Sequence, residues 1–98
     1  MNNQIIVTLD QGVTKQKVFI YLKDNEMTCQ NVDMENLFSV VTMSAAKYKI
    51  KNIKIVGPKE YSKGIKDQLT KKINTCFGEE NDFTVELVSL KEIKGWNI

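Results

Sequence analysis

The sequence contains no histidine and no arginine, a single proline, and only two cysteines. Without histidine there is no Ser-His-Asp or Cys-His catalysis and no imidazole ligand for a metal. Without arginine there is no planar fork to clamp a phosphate with parallel hydrogen bonds or to read guanine edges, which argues against base-specific DNA readout. All of the positive charge is lysine, and the net charge of +2 is too small to imply a nucleic-acid partner on its own. Cys29 and Cys76 are far apart, outside any C-x-x-C spacing, and read as small buried hydrophobes. No apolar run approaches the roughly 20 residues needed to span a bilayer, and the opening Met-Asn-Asn-Gln lacks the features of a signal peptide. The expectation is a cytoplasmic protein with no membrane partner.

What is present is an ordinary globular composition in 98 residues, enough for one domain with its own core. The pattern is organised around Asn52–Gly64. Ile53, Ile55 and Val56 form a β-branched run that reads as a buried strand. Gly57 and Pro58 end it, and Pro58 suits the start of a helix because it has no amide proton to leave unpaired.

Gln4–Leu9 reads as a first strand buried on both faces, and Asp10-Gln11-Gly12 turns the chain. Lys17–Lys23 is a second strand, and Asp24-Asn25 suits a hairpin turn. Glu26–Asn31 alternates as a half-buried or edge strand, with Met27 and Cys29 facing one way. Asp33 is placed to cap a helix over Met34–Tyr48, whose stripe is Leu37, Val41, Ala45 and Tyr48. Ser44-Ala45-Ala46 would allow that helix to approach the strands closely. The second helix runs from Pro58 to Phe77, with Tyr61, Ile65, Leu69, Ile73 and Cys76/Phe77 as its apolar stripe and Gly78 as its cap. Gly64 inside it costs about 1 kcal/mol relative to alanine, which suggests close packing there. Asp82–Ser89 alternates as a last strand, with Phe83, Val85 and Leu87 on one face. Residues 90–98 form a tail, in which Leu90, Ile93 and Trp96 recur every three residues.

The order β-β-β-α-β-α-β, with right-handed crossovers, gives a five-stranded mixed sheet in the order 3-2-1-4-5 with two helices, an α/β fold. This layout, together with the first strand ending I-V-T-L-D-Q-G, resembles the ribonuclease H-like fold over about residues 4–89. That fold is shared with actin-like ATPase half-domains and Holliday-junction resolvase-like nucleases. The resemblance implies that Asp10, at the end of the first strand, matches the position that binds catalytic magnesium or faces a nucleotide phosphate.

A two-metal nuclease needs several carboxylates converging on a pair of cations about 3.5–4 Å apart. The candidates are Asp10, Asp33, Glu35 and Glu60. Strand three runs parallel to strand one, so Asp33 falls on the same sheet edge as Asp10. Strand four ends Val56-Gly57-Pro58, where those families supply an acid, so the set is incomplete. Each acid also has a local reason to be there: Asp10 in a turn, Asp33 at a helix cap, Glu35 and Glu60 in first helical turns. Gly57, Lys59 and Lys63 are candidates for an anion site at the second helix's start, although the segment is not a Walker loop and Pro58 removes one amide. Lys47, Lys49, Lys51 and Lys54, with the lysines of the second helix, form either a solvated face or a weak phosphate-binding surface.

Two functions follow as expectations. The first is a non-catalytic binding domain with no cofactor. It would associate with a protein partner or with itself as a homodimer, through an exposed strand edge or through Leu90, Ile93 and Trp96. The alternative is a divalent-metal-dependent nuclease or nucleic-acid-binding protein of the ribonuclease H-like type, using Mg²⁺ or Mn²⁺ at Asp10.

Overall fold

The computed structural model describes residues 3–10, 12–23 and 26–89. The strands are β1 (Gln4–Thr8), β2 (Lys15–Tyr21), β3 (Met27–Asp33), β4 (Asn52–Val56) and β5 (Thr84–Leu87), with helices α1 (Met34–Tyr48) and α2 (Lys59–Phe77). They form one five-stranded sheet in the order β3-β2-β1-β4-β5, as expected from the crossovers. β1 pairs antiparallel with β2 and parallel with β4, while β3 is antiparallel to β2 and β5 parallel to β4. All strands but β2 therefore end on one edge of the sheet.

Both crossovers, β3–α1–β4 and β4–α2–β5, move across the sheet in the same direction. Equal handedness then puts both helices on one face. Leu37, Val41 and Ala45 from α1 and Ile65, Leu69 and Ile73 from α2 share a single core with Ile5, Val7, Val18, Ile20, Ile53 and Ile55. Successive strand residues point to opposite faces. The second face therefore carries Ile6 of β1, Phe19 and Tyr21 of β2, and Val56 of β4. These residues, with Val88, make a separate small cluster. The unbroken Ile5-Ile6-Val7 run is thus buried on both sides, at 0–1% exposure.

Several local expectations change. β2 starts two residues earlier than its apolar pattern suggested, because Lys15 and Gln16 pair with Asp33 and Val32. That pairing carries β3 on to Asp33, while β5 shortens to Thr84–Leu87, with Phe83 and Val85 only partly buried and Leu87 exposed. Cys29 and Cys76 are both exposed rather than buried. Cys29 sits on the outermost strand, and Cys76 lies past Ile73, where α2 runs beyond the core. Phe77 is exposed for the same reason, although its ring meets Phe83 at 4.6 Å between centroids.

Asp33 occupies the cap position of α1 without a side-chain hydrogen bond. The far end of α1 stops at Lys49, which adopts a left-handed φ of 57° with no glycine to ease it. The Ile50 amide then donates to the Ala45 carbonyl at 2.9 Å, and Ile50 is tucked into the core. Gly64 does not mark close packing: a Cβ added there meets nothing within 4 Å.

Candidate functional site

The candidate acids lie along the edge where β1, β3 and β4 end. Asp10 follows β1, Asp33 closes β3, and Glu35 and Glu60 lie in the first turns of α1 and α2. Sharing an edge is not convergence. The ends of β1 and β3 are separated by β2, so Asp10 and Asp33 stand about 10 Å apart at roughly 4.8 Å per strand spacing. Among the described residues, no three acidic or cysteine side chains come together to hold a metal ion.

Asp10 is held by local bonds. Its Oδ1 accepts from the Gly12 amide at 2.9 Å, the aspartate turn that its sequence neighbours suggest. Its backbone is held by Gln16, whose Oε1 accepts from the Asp10 amide at 2.7 Å and whose Nε2 donates to the Asp10 carbonyl at 3.0 Å. Gln16 is buried on the core face, and these two hydrogen bonds give both its amide oxygen and its amide nitrogen a partner. Reading the sequence alone misses Gln16, because nothing local distinguishes it from a surface polar residue in an alternating strand.

Beside Asp10 is an open pocket of about 390 Å³ lined by Thr8, Leu9, Val13, Lys15, Gln16 and Lys17. One carboxylate and two ammonium groups leave this wall net positive. Such a wall disfavours a divalent cation and does nothing to concentrate one.

The Gly57 turn is built for packing. A Cβ at Gly57 would meet Ser62 Oγ at 2.7 Å, Leu9 Cβ at 2.9 Å and Leu9 O at 3.0 Å. The Leu9 amide donates to the Val56 carbonyl at 2.7 Å, which prolongs the β1–β4 pairing past the strand ends and presses the two chains together. Pro58 caps α2 without a side-chain bond, and the Ser62 amide donates to its carbonyl at 2.8 Å. Lys59 and Lys63 are exposed one turn apart on α2. Ser62 is buried beneath the turn, and its Oγ has no hydrogen-bond partner among the described residues.

At the opposite edge, a more apolar pocket of about 350 Å³ opens between the ends of the two helices, lined by Ala45, Ala46, Ile50, Phe77 and Phe83. The lysine patch is divided here by ion pairs: Lys51 Nζ lies 2.6 Å from Asp82 and Lys54 Nζ 3.6 Å from Glu86. The interface candidates Leu90, Ile93 and Trp96 lie outside the described residues.

The outer edge of β3 is the other exposed feature. The strand pairs with β2 along its whole length, and among the described residues no strand pairs with its far side. From Met27 to Val32 it reads M-T-C-Q-N-V, without a charge or a proline. No helix among the described residues is long and apolar enough to cross a membrane. No protein-family model and no curated protein matches this chain.

Proposed function

We propose that this chain is a binding domain that associates with a second copy of itself by pairing β3 with β3. The observation that carries this reading is the seven-residue edge Met27–Asp33, fully paired on one side and uncharged until its last residue. Edge strands kept out of association are shortened, bulged, or furnished with lysine or proline, and β3 has none of these. An antiparallel pairing centred on Gln30 sets Met27 against Asp33, Thr28 against Val32 and Cys29 against Asn31. No like charges meet. It is an isologous contact that closes at two copies.

The runner-up is the metal-dependent nuclease implied by the ribonuclease H-like topology, with Asp10 as its first ligand. Its support is the sharing of one sheet edge by Asp10, Asp33, Glu35 and Glu60. The spacing of those acids and the lysines beside Asp10 give the binding domain the stronger support.

Sedimentation velocity over a concentration series tests the proposal. The native chain sediments as a dimer that dissociates on dilution. The pair Thr28→Lys and Gln30→Lys brings like charges together at the two-fold axis and weakens dimerisation at least tenfold, with thermal stability retained. A native chain that stays monomeric at high concentration, or a dimer indifferent to those lysines, refutes β3 pairing. Metal-dependent cleavage of branched or hybrid nucleic acid that disappears in Asp10→Asn would establish the runner-up.

A further inference from the structure

On the core side of the sheet, α1 lies over β2 and β3, while α2 lies over β4 and β5. One flank of α1 therefore faces α2, and the other faces the edge of β3 with which no described strand pairs. Contacts identify the α2 flank. The Tyr61 hydroxyl donates to Met34 Sδ at 3.5 Å, and Ala45, Ala46 and Lys49 share a pocket with Phe77. At 3.6 residues per turn, the opposite flank runs from the cap residue Asp33 through Asn36, Val40 and Met43 to Lys47. Its middle is apolar and open: Met43 is 71% exposed and Val40 only partly buried.

We propose that this flank of α1 packs against the same flank of a second copy, setting a helix layer above the strand contact made by β3. The inference rests on the β3 pairing proposed above and supplies what that pairing lacks. A seven-residue edge is a strip about 24 Å long and about 10 Å thick, roughly 240 Å² per copy, whereas a stable interface buries about 800 Å² per partner. The strand edge alone is too small, and α1 is the element beside it.

Spacing brings the helices within reach. α1 touches β2 and β3 equally, so its axis lies about half a strand spacing inside β3, and the two-fold axis of the pairing lies half a spacing outside it. The two copies of α1 are then about two strand spacings apart, roughly 9.6 Å, within the separation of packed helices. Two steps of strand twist cross them at about −40 to −50°, the angle at which i±4 ridges interlock.

Register agrees with spacing. Gln30, the centre of the strand pairing, lies about 10 Å before the end of β3, and α1, returning at about 1.5 Å per residue, reaches that level at Val40–Val41. Val40 thus meets the partner's Val40, and Met43 lies over the partner's Asn36. Lys47 falls opposite the partner's Asp33. The stripe begins with an acid and ends with a base, so antiparallel packing brings opposite charges together at both ends.

Sedimentation velocity on the full chain tests the contact. Met43→Glu puts a carboxylate in its apolar centre and should raise the dimer dissociation constant at least tenfold, with the melting temperature unchanged at a dilution where the chain is monomeric. Gln68→Glu makes the same change of charge on an exposed position of α2 and should stay within twofold of the native chain. A second readout is cross-linking. With the two exposed native thiols removed by Cys29→Ser and Cys76→Ser, Val40→Cys should give a disulfide-linked dimer on oxidation by copper–phenanthroline in air, and Gln68→Cys should not. A dimer that the β3 lysines dissociate, but that Met43→Glu leaves intact and Val40→Cys does not link, overturns the helix contact and leaves the strand pairing standing. A chain monomeric at every concentration overturns both. A dimer broken by Met43→Glu yet indifferent to the β3 lysines refutes the two-layer interface, since the helix flank would then act without the strand.

Discussion

Two glycine-to-alanine changes on either side of the α2 start should move stability in opposite directions. At Gly57 the new methyl meets Leu9 O at 3.0 Å and Leu9 Cβ at 2.9 Å, besides Ser62 Oγ at 2.7 Å. Ser62 can turn its hydroxyl aside, but the Leu9 backbone cannot retreat while its amide is bonded to Val56. Overpacking of this kind costs about 1–3 kcal/mol. Any glycine-to-alanine change recovers about 0.4–1 kcal/mol by restricting the unfolded chain, which leaves a net loss of about 1–2 kcal/mol. At Gly64 the methyl meets nothing and the helix gains its propensity, a stabilisation of about 1 kcal/mol. At about 4–8 °C per kcal/mol for a domain of this size, Gly57→Ala should melt roughly 4–16 °C below the native chain and Gly64→Ala roughly 4–8 °C above it. Thermal and urea unfolding followed by circular dichroism measure both. Two variants shifted in the same direction would refute the claim that close approach, rather than helix chemistry, fixes Gly57.

Ser62→Ala removes a buried hydroxyl that lacks a partner among the described residues, and should stabilise by about 1 kcal/mol in urea unfolding; a loss of that size would mean the hydroxyl is bonded. The Tyr21 phenol is pushed above 10.0, first by burial and then by the neighbouring Cys29. Its contribution is therefore complete below pH 10 and is lost as pH rises through the folded value. Tyr21→Phe should accordingly flatten the alkaline fall in stability, and an unchanged slope in alkaline urea titrations would contradict it. The Lys51 ammonium, hydrogen-bonded at 2.6 Å, holds Asp82 below its ordinary 3.8. Asp82→Asn should thus lose stability relative to the native chain above about pH 4 and converge with it as pH falls, with only a small gap because the pair is solvated.

The sheet order was legible because it depends on few things: the alternation of apolar residues, two helical stripes, and the handedness of crossovers. Burial of Cys29 and Cys76 was misread because each belongs to an apolar pattern that outruns what covers it. Cys29 alternates correctly on β3, but β3 is the outermost of the described strands. Cys76 continues the Ile65–Leu69–Ile73 stripe past the end of the sheet. Gly64 was misread for a related reason, since a glycine in a helix has the same sequence signature whether a neighbour presses on it or nothing does. The candidate acids could be assigned to one edge from strand direction alone. Their separation could not, because it depends on β2 lying between β1 and β3 as well as on where each side chain bonds. Gln16 was invisible because its partners, the Asp10 amide and carbonyl, are backbone groups that any residue would supply.

One consequence of the topology joins the two surfaces. Because both crossovers travel the same way, the described helices are confined to one face, and Ile6, Tyr21 and Val56 form a separate buried cluster on the other. An association face made of that apolar surface would compete with folding, since the same residues would be exposed whenever the partner left. The uncharged edge of β3 lies apart from that cluster, so a second copy can add strands there without uncovering any core. Ile6→Ala, which empties the centre of that cluster, should therefore destabilise the monomer by about 2–5 kcal/mol before it alters pairing through β3. An Ile6→Ala chain that stays as stable as the native one but loses its dimer would reverse that assignment and make the second face the contact between copies.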